Sequence, residues 1–80
     1  MIRLTKHAAE ACEARNIPFE WVERTLLFPD WTTRDPLHAD RMRAFKAIVE
    51  FDGRFLRVVF RNDGPDMVVI TVHPDRSAKR

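Results

Sequence analysis

RMRAFKAIVEFDGRFLRVVFRNDG, residues 41–64, holds two apolar runs that meet at Asp52–Gly53. Asp-Gly between alternating runs is among the strongest short hairpin signals, and it predicts a two-residue turn with positive φ at both positions. That turn sets a register in which Phe51 faces Arg54, Val49 faces Leu56, Ala47 faces Val58 and Phe45 faces Phe60. Side chains alternate along a strand, so Phe45, Ala47, Val49 and Phe51 share one apolar face with Leu56, Val58 and Phe60. The opposite, mixed face receives Lys46, Ile48 and Glu50 from the first strand and Phe55, Arg57, Val59 and Arg61 from the second. Arg54 lies at the rim, and Arg43 pairs beyond the strand end.

Downstream, MVVITVH supplies a third strand. Its alternation sends Val68, Ile70 and Val72 to the apolar face and Met67, Val69, Thr71 and His73 to the mixed one. A five-residue loop over 62–66 puts Arg57 opposite Thr71. The three strands are predicted over 42–51, 54–61 and 67–73.

Upstream, Thr5 is an N-cap for a helix over 6–15 whose Ala8, Ala11 and Cys12 form one stripe. Asn16 ends it. Pro18 opens a second helix over about 18–28, since a missing N–H is harmless in the first turn. Glu20 and Glu23 suit the positive end of that helix, Val22 and Leu26 mark its apolar face, and Pro29 stops it. PDWTTRDPLHAD, 29–40, has two prolines and several turn formers and reads as a loop. Trp31 within it either pins the loop to the core or offers a surface on which a base can stack. MIRLT at the start is long enough for a short edge strand. The resulting class is α+β: two helices on one face of a three-stranded antiparallel meander, in the order ααβββ. One domain spans 1–75, and 76–80 is a frayed polar tail.

Eighty residues leave room for one core. No apolar stretch approaches the roughly 20 residues that cross a bilayer, so no membrane partner is expected. The first sixteen residues lack the apolar segment of a secretory signal. Cys12 is the single cysteine, which excludes an internal disulfide and favours a small buried hydrophobe in a reducing cytoplasm. Net charge is +2, but it is unevenly spread: residues 1–40 carry five cations against seven anions, and 41–61 carry six against two. An anionic partner is therefore expected at the middle segment.

Lys46, Arg57, Arg61, Thr71 and His73 meet on the mixed face. Cations there would offset charge on a phosphorane-like transition state, and an imidazole would move protons near neutral pH. RNA brings its own 2′-hydroxyl as nucleophile, so such a site needs no metal and no cofactor. The same residues also describe the solvent face of an ordinary sheet. His7, in the first turn of the first helix, and Arg15, at its end, could reach the sheet; each also has a structural role, Arg15 as a cation at the helix C-terminus. His7, His38 and His73 lack metal-ligand spacing.

HAAEACEARNI (7–17), WVERTLLFPD (21–30), RAFKAI (43–48), FLRVVF (55–60) and VVITVHP (68–74), taken in order, resemble the small bacterial family known as domain of unknown function 4258. The order of elements is similar to that of the RelE/ParE-like toxins, including the BrnT-like ribonucleases. This resemblance implies a cytoplasmic, metal-independent endoribonuclease neutralised by a cognate antitoxin protein. The chain departs from the ribosome-dependent toxins in having no Tyr. Residues matching the family pattern, His7, Arg15, Arg57 and Thr71, become site candidates. With the face argument, His7, His73 and Arg57 are the catalytic set and Lys46, Arg61, Arg15 and Thr71 the substrate-binding set.

A second reading stands beside it. Ile48, Phe55 and Val69 on the mixed face would be exposed apolar groups next to cations, as at a protein interface or a homodimer contact.

Overall fold

A computed structural model describes residues 1–78 as two helices on one side of a five-stranded mixed sheet. In chain order the elements are β1 (Ile2–Leu4), α1 (Lys6–Ala14), α2 (Phe19–Leu27), β2 (Trp31–Arg34), β3 (Met42–Ile48), β4 (Arg54–Asp63) and β5 (Asp66–Asp75), with a 3-10 turn over Val49–Phe51. The sheet order is β1-β5-β4-β3-β2. β1 pairs with β5 in parallel, and the other pairs are antiparallel. The three-stranded antiparallel meander is therefore wrong: a strand is added at each edge, and one of them makes the sheet mixed.

The helices follow the sequence closely. Thr5 Oγ1 accepts the Ala8 N–H at 3.1 Å and also donates to the Ile70 carbonyl at 3.2 Å, so one hydroxyl caps α1 and ties it to β5. At the other end Asn16 takes φ 54°, the Ile17 N–H donates to the Cys12 carbonyl and the Asn16 N–H to the Glu13 carbonyl. This is the Schellman arrangement, and it drops Ile17 into the core before Pro18 opens α2. Ala8 and Cys12 are small enough for α1 to lie close on β5. With Ile17, Val22 and Leu26 they cover Ala44, Ile48, Leu56, Val58, Phe60, Val69 and Val72.

β2 forms where the sequence suggests only loop, because just four residues separate the turn formers around Pro29 and Pro36. Trp-Thr-Thr-Arg is nonetheless aromatic and β-branched, as strands prefer, and it pairs Trp31 with Phe45 and Thr33 with Arg43. Asp35 then closes the loop to β3, its Oδ1 accepting the Leu37 and His38 N–H groups at 2.8 and 3.0 Å.

The register of the central hairpin differs from the one the Asp-Gly turn implies. Asp52 and Gly53 do adopt positive φ, 55° and 72°. However, Val49–Phe51 wind into the 3-10 turn, so five residues rather than two link the strands. Two contacts draw that turn out of the sheet towards α2: Glu50 accepts both Nη groups of Arg24 at 2.9 and 2.8 Å, and Phe51 packs against Trp21 with ring centroids 5.4 Å apart. Pairing becomes Ala44 with Val58, Phe45 with Arg57 and Ile48 with Arg54. An odd shift inverts the parity of β3. Val49, expected in the core, is 84% exposed, while Ile48 is fully buried.

A second irregularity lies between β4 and β5. Val59 pairs with Thr71 but Phe60 pairs with Val69, leaving Ile70 as an extra residue in a bulge. Val69 and Val72 can thus both face the helices. The hairpin closes at Asp63 and Asp66 around Gly64 (φ 58°) and Pro65, tighter than the five-residue loop expected. Of the tail, Ser77 is held by Asp75 Oδ1 through its N–H at 3.0 Å and its hydroxyl at 2.8 Å, and residues 79–80 lie outside the described residues.

Candidate functional site

The helices cover one face of the sheet, and cross-strand pairing sorts the other. Directly opposed residues point the same way, so Arg43, Val59 and Thr71 form one row of the outer face. Phe45, Arg57 and His73 form the next, and Ala47, Phe55 and Asp75 a third. Trp31 is opposite Phe45 on the edge strand. It stacks on the Phe45 ring at 4.8 Å and 11°, and meets Phe55 edge-on at 5.1 Å. This aromatic group shelters Phe45 without any helix above it. Trp31 therefore serves the outer face and not the main core.

Arg57 is the hub of the cations. Its Nε donates to His73 Nε2 at 2.7 Å, its Nη2 also contacts that nitrogen, and its Nη1 lies 3.5 Å from Asp75 Oδ2. A guanidinium has no acceptor, so Nε2 must be the bare nitrogen and Nδ1 carries the ring proton. Burial holds His73 below its ordinary pKa, and the charges of Arg57, Arg15 and Arg43 act in the same direction against Asp75. The imidazole is consequently neutral at pH 7. For Asp75, burial pulls upward, but the Ser77 hydrogen bonds and the charge of Arg57 outweigh it and keep the carboxyl below its usual range.

Arg43 stands beside this pair. Its Nε is buried without a hydrogen bond among the described residues, and Asp35 Oδ2 lies 3.6 Å away. Asp35 is held ionised chiefly by the Leu37 N–H, which outweighs its burial, with further help from His38 and Arg43. An incoming anion would thus meet two arginines that each already stand beside a carboxylate, Arg43 beside Asp35 and Arg57 beside Asp75. Arg15, the C-cap of α1, adds a third positive charge within electrostatic range of His73.

The other candidates divide by position. Thr71 shares the row of Arg43. Arg61 is on the same face but beyond the bulge, its Nη1 3.8 Å from Asp63. Lys46 does not join them: the inverted parity of β3 sends it to the helix-bearing side, where Nζ donates to the Phe28 carbonyl at 2.8 Å and lies 3.6 Å from Asp30. His7 is exposed in the first turn of α1, apart from the outer face. Ile48 and Val69, expected as exposed apolar groups, are fully buried beneath the helices, and only Phe55 of that trio reaches the outer face. Two residues of the site, Arg43 and Asp75, escape the sequence reading. The hairpin register implied by Asp-Gly puts the first past a strand end, and the second stands next to a polar tail, with nothing in the sequence to mark it as part of β5.

Among the described residues no three His, Cys, Asp or Glu side chains converge as a metal-binding group, and no helix is long and apolar enough to cross a membrane. No curated protein and no solved structure matches the chain. A family model does, over residues 4–74, from the end of β1 to the penultimate residue of β5. The match takes in both helices and most of the sheet, and with them Arg43, Arg57 and His73, so the chain belongs to the domain of unknown function family DUF4258.

Proposed function

We propose that the outer sheet face binds single-stranded RNA and cleaves it by attack of the 2′-hydroxyl on the neighbouring phosphate. The observation that carries this reading is one face uniting Arg57, Arg43, a neutral His73 and the Trp31–Phe45–Phe55 cluster. Cations interleaved with aromatics suit a strand whose phosphates and bases alternate. The order of two helices before the main sheet is similar to that of RelE-like toxins, a likeness of plan alone.

The chemistry follows from the Arg57–His73 hydrogen bond. In the free protein the lone pair of Nε2 is occupied. A phosphate arriving on Arg57 offers better acceptors, because charged oxygens form the stronger bonds with guanidinium. Arg57 turns to the phosphate and Nε2 is released. His73 then takes the 2′-hydroxyl proton as the O2′–P bond forms, and returns it to O5′ as the P–O5′ bond breaks. The products are a 2′,3′-cyclic phosphate and a 5′-hydroxyl. Arg57 and Arg43 offset the charge that grows on the phosphoryl oxygens.

The test is anisotropy with a labelled single-stranded RNA, followed by incubation with and without chelator. Arg57→Ala should abolish binding, whereas His73→Ala should retain binding and lose cleavage. Failure of the wild-type protein to bind, or binding indifferent to Arg57, refutes the proposal. Binding without cleavage refutes its catalytic half.

A further inference from the structure

On the helix-bearing side, away from Arg57, a groove of about 640 Å³ runs between α2 and the sheet end. Its α2 wall is Phe19, Glu23 and Leu27, and its sheet wall is Met1, Ile2 and Met67. Phe19, Leu27 and Met1 are 45%, 55% and 82% exposed, so large exposed hydrophobic residues gather in one place. Scattered exposed apolar side chains need no explanation, but a contiguous apolar groove marks an interaction surface.

Charge determines what fits it. Phe19, Glu23 and Leu27 recur at i, i+4 and i+8, so the α2 wall reads apolar, anion, apolar over about 12 Å. Among the described residues Glu23 is the one charged side chain lining the groove, and Glu20 stands one turn earlier. The cations nearest the opposite wall are engaged: Arg3 pairs with Asp63 and Asp66, and the terminal ammonium pairs with Asp66. A polyanion is therefore repelled. In a second copy packed α2 against antiparallel α2, Glu23 would lie against Glu23, a like-charge contact that costs affinity. The complement is a helix with apolar residues at i and i+7 and Lys or Arg between them, spanning about 10.5 Å. We infer that this groove docks a basic amphipathic helix of a partner protein, with Glu23 reading the central cation.

The probe is a labelled helix-forming peptide of about 16 residues with Leu at i and i+7 and Lys at i+4, alongside a counterpart with Glu at i+4. Anisotropy should show the Lys peptide binding at least tenfold more tightly than the Glu peptide. Amide shifts should map to Phe19, Glu23, Leu27 and Met67. Glu23→Lys should reverse the preference, and because the side chain is exposed, the variant's amide spectrum should otherwise match the wild type. The inference is overturned if neither peptide binds, if Glu23→Lys leaves the preference unchanged, or if the protein self-associates in sedimentation and Leu27→Asp makes it monomeric. None of these outcomes bears on RNA binding by the opposite face.

Discussion

Arg57 and His73 stand directly opposite each other on β4 and β5, and the guanidinium Nε donates to the imidazole Nε2 at 2.7 Å. A hydrogen bond of this kind needs a neutral ring, so protonation and the contact exclude one another. The pairing makes pH a handle on the outer face, since charging His73 places a second cation against Arg57 in a half-buried position.

The direction of that dependence is fixed. His73 has a folded pKa below its unfolded value of about 6.5, so the unfolded chain binds the proton more readily. Stability is fully present above about 6.5 and declines as pH falls from there through the folded pKa. Thermal melts between pH 7.5 and pH 5 should show this decline, and His73→Gln should flatten it. An NMR titration of Arg57→Ala should find the His73 pKa higher than in the wild type, because one of the depressing cations is gone.

A second titration lies lower. Hydrogen bonds from Arg24 hold the Glu50 carboxyl down to about 2 from an ordinary 4.5. Its contribution is present above about 4.5 and is lost as pH falls towards 2. Glu50→Gln should remove that component and leave the His73 component intact, so the difference between wild-type and variant melts isolates it. Added salt should shrink the difference, both groups being solvent-facing. This pair also matters because it holds the 3-10 turn against α2.

Val69 distinguishes the observed register from the sequence-based one. The alternation of MVVITVH sends it to the mixed face, where Val69→Asp would disturb only an association. The bulge at Ile70 instead buries it completely. A carboxylate there has no partner and should cost more than about 4 kcal/mol, a large share of the roughly 5–10 kcal/mol typical of a small domain. Circular dichroism should show Val69→Asp unfolded at 25 °C. Leu56→Ala, which leaves a cavity rather than a charge, should cost about 2–5 kcal/mol.

What is legible in the sequence is local. Thr5, Asn16 and Pro18 announce the helix ends because caps act on their own neighbours. The parity of β4 is legible too, but Arg57 and His73 fall on one face in both readings only because the tight β4–β5 turn and the bulge at Ile70 together shift the register of β5 by two residues, from Thr71 to His73 opposite Arg57. The failures are all tertiary. Nothing within residues 49–53 reveals that Arg24 and Trp21 will draw Glu50 and Phe51 out of the sheet, and that displacement inverts β3. It takes Lys46 away from Arg57 and puts Arg43 beside it. Nor does a four-residue run between prolines signal β2 until Phe45 is there to stack on Trp31.

Asn16 provides a local check. Its left-handed φ of 54° is what the Schellman turn at the end of α1 requires. Asn tolerates that region better than any residue with a bulkier apolar side chain, and Gly adopts it freely. Asn16→Ala should cost about 1 kcal/mol in a urea melt, whereas Asn16→Gly should be neutral or slightly stabilising. Equal losses in the two variants would mean that the Asn side chain, rather than the backbone, holds the turn.

Two cations of β3, Arg43 and Lys46, give the sharpest test of the proposed RNA surface. Arg43 lies on the outer face beside Arg57 with an Nε that has no hydrogen bond among the described residues, and Lys46 points to the helix side, tied to the Phe28 carbonyl and Asp30. Both carry one positive charge and sit three residues apart on one strand. Long-range attraction alone would therefore make Arg43→Ala and Lys46→Ala nearly equivalent. Direct phosphate binding makes them different: taking away one cation that touches a phosphate of single-stranded nucleic acid reduces the slope of log affinity against log salt by about 0.7. Arg43→Ala should show that reduction and weaker binding at every salt concentration. Lys46→Ala should keep the wild-type slope and affinity while lowering stability slightly, since its hydrogen bond to the Phe28 carbonyl is gone. If both variants behave alike in a salt titration, RNA is drawn to the whole charge and the outer face does not hold it.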